Sequence, residues 1–420
     1  MVISGRKLLY IQIKINLIIK LISYIIPKLS FVEYIIDALN VVLLCIIILK
    51  LVKTKKIVAQ INKVLIFIVL FFLYCLVQAM ITGPNIILFL WALRNHFRFL
   101  IIFISACVFW NMKDIENIFN VFYKCLMLNV VIISIQFAMG YRGDYLGGTF
   151  GLDKNCNAIT NIFLCMMVIY GILGRLYKVV ETKITLSILL ASVYWAALAE
   201  IKIFYVELVV ITIIIMLLVK GRAYTKLKWI SMLIIVFVVG VLALAYAFPE
   251  QVAFITNPKN IIWYLQNVHG GAHGFGRTTA ISITNDVFFN NNILLKVFGI
   301  GIGNAEVMNI GAVSIASNFY NTYSIYAYFG YFHAMVYIEL GVIGLIWYFL
   351  FWSKYVLLSL KNRRRSNYYK MWMEFSIVFS VCIMINALKD STLRISISGY
   401  LAFILMAIPY IGSKISIDTK

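Results

Sequence analysis

Acidic residues are scarce in this chain: sixteen Asp and Glu stand against 37 Lys and Arg in 420 residues. No two acids form a D-x-D pair, so the usual metal site of nucleotide-sugar enzymes has no candidate. The extracytoplasmic acids expected below are scattered, which argues against a cage for a hard cation. The four histidines form no H-E-x-x-H, and the seven cysteines contain no C-x-x-C, so neither a zinc site nor a disulfide framework is indicated. Any chemistry is therefore expected to be metal-independent, with no cofactor. Charge is also scarce: 13% of residues are charged and 63% are hydrophobic. Soluble domains hold about 25% charged and about 45–50% apolar residues, so a soluble globular protein is excluded.

The apolar residues fall in blocks close to the roughly 20 residues that span a bilayer as a helix. Runs such as Val209–Val219 and Leu233–Ala247 do not alternate with polar residues, as barrel strands would. The blocks lie near 8–27, 34–52, 64–82, 87–110, 120–139, 156–174, 184–200, 203–219, 229–248, 332–353, 372–388 and 395–412. The sequence thus predicts an all-α polytopic membrane protein of about twelve transmembrane helices, with residues 1–420 as one membrane domain. Arg6 and Lys7 precede the first block as in a signal peptide, but Lys14 and Lys20 interrupt it and no small-x-small site follows. A retained first helix is expected. Residues 249–331 form a long loop, and connections above about 15 residues are commonly functional.

Lysine and arginine bias sets the orientation. With the N-terminus cytoplasmic, internal segments hold 22 of the 37 basic residues and external ones nine. Both termini then face the cytoplasm, and the long loop faces outward. The net charge of +21 follows from this bias and from attraction to anionic lipid. Basic patches on separate short loops do not suit nucleic acid.

Candidate chemistry sits at the external ends of the blocks. Arg94 and Arg98 share one helix face, and Arg94 lies about 10 Å inside the apolar block at 1.5 Å per residue. Such cations face a cavity or partner, or reach back to headgroups. The stretch Gly140–Asn157 is rich in Gly, Asp and Asn, which suits either a ligand loop or a plain turn. Glu200, Lys202 and Glu207 occupy a junction with almost no loop, as an ion pair or as a polar site at the mouth of the bundle. The long loop carries His269, His273 and Gly276-Arg277, then Gly299, Gly301 and Gly303. A dinucleotide fingerprint fails there for want of a βαβ unit. His333 precedes a helix bearing Glu339-Leu-Gly341-Val-Ile-Gly344, and a buried structural histidine would read the same way.

These elements in this order resemble the polytopic bacterial O-antigen and capsular polysaccharide polymerases, relatives of the O-antigen ligases. The resemblance is carried by Leu93-Arg94 to Arg98; Gln136 to Gly140 followed by Gly148-Thr-Phe-Gly151 and Asn157; Ala199-Glu200-Ile-Lys202; Gly276-Arg277; Phe298 to Gly303; and Glu339 to Gly344. It implies a type C-like glycosyltransferase architecture in the bacterial cytoplasmic membrane. It also implies transfer of a polyprenyl-diphosphate-linked glycan onto a lipid-linked repeat unit at the outer face. The lipid-linked oligosaccharide and membrane lipid are then the partners, with a flippase and a chain-length regulator as associated proteins. On this basis Arg277, His333 and Glu200 are the candidate catalytic residues, with His333 the first choice of base and Glu200 the second. Arg94, Arg98, Lys202, Asn157, Gly299, Gly301, Gly303 and Glu339 are the candidate substrate-binding residues. The ligases place their histidine, often as His-Asn, about nine residues before the Glu-x-Gly-x-x-Gly element. Here His333 is six before Glu339 and precedes Ala334, which weighs towards a polymerase over a ligase. A flippase or secondary transporter is the alternative from another class. The Ile-, Lys- and Asn-rich usage points to an AT-rich genome, and so to capsule or exopolysaccharide over O-antigen.

Overall fold

The computed structural model describes residues 4–26, 34–53, 59–154, 156–219, 275–310, 313–363 and 367–418, with isolated positions between 220 and 274. In the first half the helices are α1 (Gly5–Asn16), α2 (Ile19–Ile25), α3 (Ile35–Lys53), α4 (Ala59–Thr82), α5 (Ile86–Phe109), α6 (Met112–Ala138), α7 (Cys156–Leu176), α8 (Thr182–Leu198) and α9 (Lys202–Leu218). After the long loop's short elements, α10 (Ile293–Phe298) and α11 (Asn318–Tyr323), come α12 (Phe332–Asn362), α13 (Asn367–Lys389), α14 (Ser396–Leu405) and α15 (Ile408–Asp418). Among the described residues, eight spans are long and apolar enough to cross a membrane. They are α3 to α7, α12, α13 and the stretch Ser396–Lys414 across α14 and α15.

These eight match eight of the twelve apolar blocks. The first block is a pair, α1 and α2, bent by 45°. Lys20 at the start of α2 pairs with Asp153 at 3.1 Å, which draws that half towards the connector after α6. The blocks at 184–200 and 203–219 form α8 and α9, each of 17 residues. The block at 229–248 lies outside the described residues, as do His269 and His273.

Similar apolar sequences take different places in the bundle. In α7, 94% of the spanning window is buried, against 28% in α4, so α7 is the hub and α4 faces lipid. The hub packs Phe163 against Trp195 of α8 and Tyr170 against Trp372 of α13 within one continuous apolar cluster. Helix starts are locally encoded. Asn85, after the Gly83-Pro84 turn, accepts from Ile87 N at 2.9 Å to cap α5. Asn111 and Asp114 form a reciprocal capping box on α6.

Residues 275–331, within the stretch expected to be a long loop, form a compact cap. Residues 275–331 include a two-stranded antiparallel hairpin, β1 (Val307–Ile310) and β2 (Val313–Ala316), with Val307 opposite Ala316. Phe275, Phe288, Tyr328 and Tyr331 form a second hydrophobic cluster there with the first turns of α12. Its position is at the end where α4 stops and α5 starts, called the loop end below.

A candidate active site at the loop end of the bundle

The site begins with a broken helix. Gly341 interrupts α12 with φ +64° and ψ −161°, a left-handed conformation that favours glycine. A break inside an apolar span strands carbonyls that lipid cannot satisfy. Here each finds a partner from elsewhere. Ile338 O accepts from Ile300 N at 2.8 Å, and Glu339 O accepts from Gly301 N at 3.0 Å and Gln78 Nε2 at 2.8 Å. Leu340 O accepts from Tyr74 OH at 3.1 Å. The two glycine motifs of the sequence are thereby one structure. A Cβ at Gly299 would lie 2.4 Å from Glu339 O, one at Gly341 2.3 Å from Val297 O, and one at Gly303 2.9 Å from Phe89 Cα. Gly299 and Gly303 thus serve close backbone packing on α12 and α5, and Gly301 leaves room for Thr82 of α4.

The Glu339 side chain closes this joint. Its Oε1 accepts from Gly303 N at 2.9 Å, and its Oε2 lies 3.4 Å from His96 Nε2. His96 Nδ1 meets Tyr348 OH at 3.0 Å. All three residues are buried.

Next to it runs a chain of ionic groups. Arg394, on the connector between α13 and α14, pairs with Glu306 of the cap, and Asn95 Nδ2 donates to the same Glu306 oxygen at 3.2 Å. Burial pushes the Glu306 carboxyl up, while the Arg394 guanidinium pulls it back down. Arg98 donates to Arg394 O and lies over the Phe99 ring. Arg94 pairs with Asp37 of α3 at 2.6 Å and stacks on Trp91. Both arginines therefore turn to partners within the protein.

Arg277 and His333 meet at the carbonyl end of α13. Arg277 Nε donates to Lys389 O at 2.9 Å, and His333 Nδ1 lies 3.3 Å from Ala387 O. The Arg277 backbone is a second hydrogen-bond partner of the same imidazole. Cations suit a helix C-terminus, where carbonyls lack partners and carry partial negative charge. Lys389 pairs with Asp390 at 3.1 Å, and Phe332 N donates to Asp390 O at 3.0 Å, so the start of α12 is pinned there too.

Glu200, Lys202 and Asn157 form a separate group. Glu200 adopts φ +53° in the tight turn between α8 and α9, an uncommon conformation for a residue other than glycine. Burial raises its carboxyl pKa, Lys202 opposes that, and Asp144 adds to it. Asn157 Nδ2 donates to Ala199 O at 3.0 Å and to Asp144. Deeper in the bundle, Glu207 accepts from Asn161 at 2.8 Å, Asn386 at 2.7 Å and Cys165 at 2.8 Å. Asn386 belongs to the same last turn of α13 that holds Arg277 and His333, so this polar core supports it from below.

Three residues at the site were not singled out from sequence. Arg394 and Glu306 sit on connectors that resemble any others, and Gln78 is one amide in an apolar helix. His96 between Arg94 and Arg98 was the available signal. No family model, curated protein or solved structure matches this chain.

Proposed function

We propose that the chain is a membrane glycosyltransferase that polymerises lipid-linked oligosaccharide repeat units. Capsule, exopolysaccharide and O-antigen are the product classes. The observation that carries this reading is the meeting of Arg277 and His333 on the last turn of α13, with Lys389 beside them. Two basic side chains from separate segments, Arg277 and His333, meet at the end of the bundle that the charge bias assigns to the outside.

In this reaction the bond between the anomeric carbon of the growing glycan and its lipid diphosphate breaks. The acceptor hydroxyl oxygen forms the new bond to that carbon, and its proton passes to a base. The diphosphate leaves with the electron pair. Guanidinium forks match phosphate oxygens, and stabilising the charge that develops on the leaving group is a large catalytic term. Arg277 has this role. Its Nε donates to Lys389 O at 2.9 Å, which fixes the guanidinium at the end of α13. His333 grips the Arg277 backbone and keeps the guanidinium in register. As the base it would release that contact, and Glu200, with its raised pKa, is the second candidate. Arg94 and Arg98 contribute positive potential from within their ion-paired network.

A secondary transporter is the second reading. The discontinuous α12 and the buried carboxyls of Glu207 and Glu339 favour it, since such features line solute and proton paths. Substitution in a producing cell separates the two. R277K keeps the charge and loses the fork, so polymer should shorten and fall in yield at normal protein level. Unchanged polymer length and yield in both R277K and R277A would refute the enzymatic reading.

A further inference from the structure

At the end of the bundle opposite the loop, a cavity of about 460 Å³ opens between α4, α12 and α15. Three lysines line it from two helices nearly 300 residues apart in sequence: Lys63 of α4 and Lys354 and Lys361 of α12. Among the described residues no acidic side chain lines it, and none of the three lysines pairs with a carboxylate. The rest of the wall is mainly apolar, with Val64, Ile66, Leu357 and Leu358 beside Gln60 and Tyr410. Ile66 is 53% and Leu357 63% exposed, so this wall continues into the lipid-facing surface of α4 and α12.

The geometry points to a binding site for an anionic phospholipid, with the phosphate between the lysines and an acyl chain along the apolar wall. Like charges placed around one concavity focus positive potential on it. Lys354 and Lys361 are seven residues apart, two turns, which sets them on one face about 10 Å apart along the axis. Lys354 Nζ lies 3.5 Å from the centroid of the Phe67 ring. That cation–π contact holds the Lys354 ammonium against α4. A water-soluble phosphate would satisfy the lysines and leave the apolar wall without a partner. A lipid satisfies both. The cavity also falls within the usual range of roughly 300–1,000 Å³ for small-ligand sites. The lysine bias assigns this end to the cytoplasmic leaflet, where anionic lipid is exposed to basic residues. The inference is independent of the enzymatic proposal, because it uses the other end of the molecule.

The test uses the purified full-length chain in neutral detergent with a phosphatidylglycerol that carries a photoreactive diazirine on its acyl chain. Labelling should fall on residues 60–67 and 350–361, and phosphatidylcholine should not compete it away. Each lysine near a lipid phosphate is worth about fivefold in affinity, so K63Q/K354Q/K361Q should weaken binding by at least about tenfold. K113Q/K178Q/K183Q removes the same charge elsewhere at this end and should leave labelling unchanged. If the triple variant does not fold, K361Q alone should weaken binding by about fivefold. Equal competition by phosphatidylcholine, an equal loss in the control variant, or displacement by millimolar inorganic phosphate would overturn the proposal.

Discussion

Replacing Arg394 with methionine should strand Glu306. The guanidinium pairs with a Glu306 oxygen that otherwise accepts from Asn95 at 3.2 Å, and Glu306 is 4% exposed. Removing one partner of a buried pair costs about 3–5 kcal/mol, mainly because the remaining charge is left without compensation. Methionine keeps most of the chain length, so a cavity is a minor part of the loss. The pH dependence has a definite sign. Burial holds the folded-state pKa of Glu306 above the ordinary carboxyl value, and Arg394 lowers it. A carboxyl raised on folding binds its proton more tightly in the folded state. Its contribution therefore falls as pH rises from the unfolded value through the folded one. Without Arg394 the folded value rises further, and the fall extends to higher pH. R394M should thus unfold close to native at about pH 5 and well below it at about pH 8. Neutralising the stranded acid in R394M/E306Q should recover much of the loss at the higher pH. Thermal unfolding of the purified protein in detergent measures all three forms. Equal stability of R394M and native protein at the higher pH would refute the argument, as would a double variant less stable than R394M.

Two further outcomes follow from the joint between the cap and α12. Gly299→Ala and Gly341→Ala each place a methyl within 2.4 Å of backbone, so both should cost several kcal/mol and lower the yield of monodisperse protein, whereas Gly330→Ala meets open space and should be neutral. Glu339→Gln keeps an acceptor for Gly303 N and should cost less than about 1 kcal/mol, while Glu339→Leu leaves that buried N–H unpaired and should cost about 1–3 kcal/mol by the same unfolding assay.

The bundle was legible because membrane spans are written as uninterrupted apolar runs, and eight of those runs are helices of spanning length. Which run becomes the hub was not, since α4 and α7 are both apolar and differ only in what surrounds them. The break in the first block has no glycine or proline to mark it; a contact between Lys20 and Asp153, 133 residues away, accompanies it. The glycine motifs at 299–303 and 339–344 were visible singly, as candidate substrate-binding positions and as part of the helix after His333. Their backbone pairing was hidden, because the partners of the stranded carbonyls come from α4 and the cap. Arg94 and Arg98 were recognised as costly cations, but Asp37, Arg394 and Glu306 could be matched to them only once the chain was folded. Meeting on the last turn of α13 likewise joins Arg277 and His333 through carbonyls that carry no side-chain signature.

The most direct measurement is in vitro. Purified protein in detergent is mixed with a lipid-linked repeat unit alone, and products are resolved by size. The account predicts a ladder of lengthening lipid-linked glycan with release of lipid diphosphate, abolished in a folded Arg277→Ala variant. Absence of any covalent product from the native protein, or an identical ladder from the variant, would contradict it.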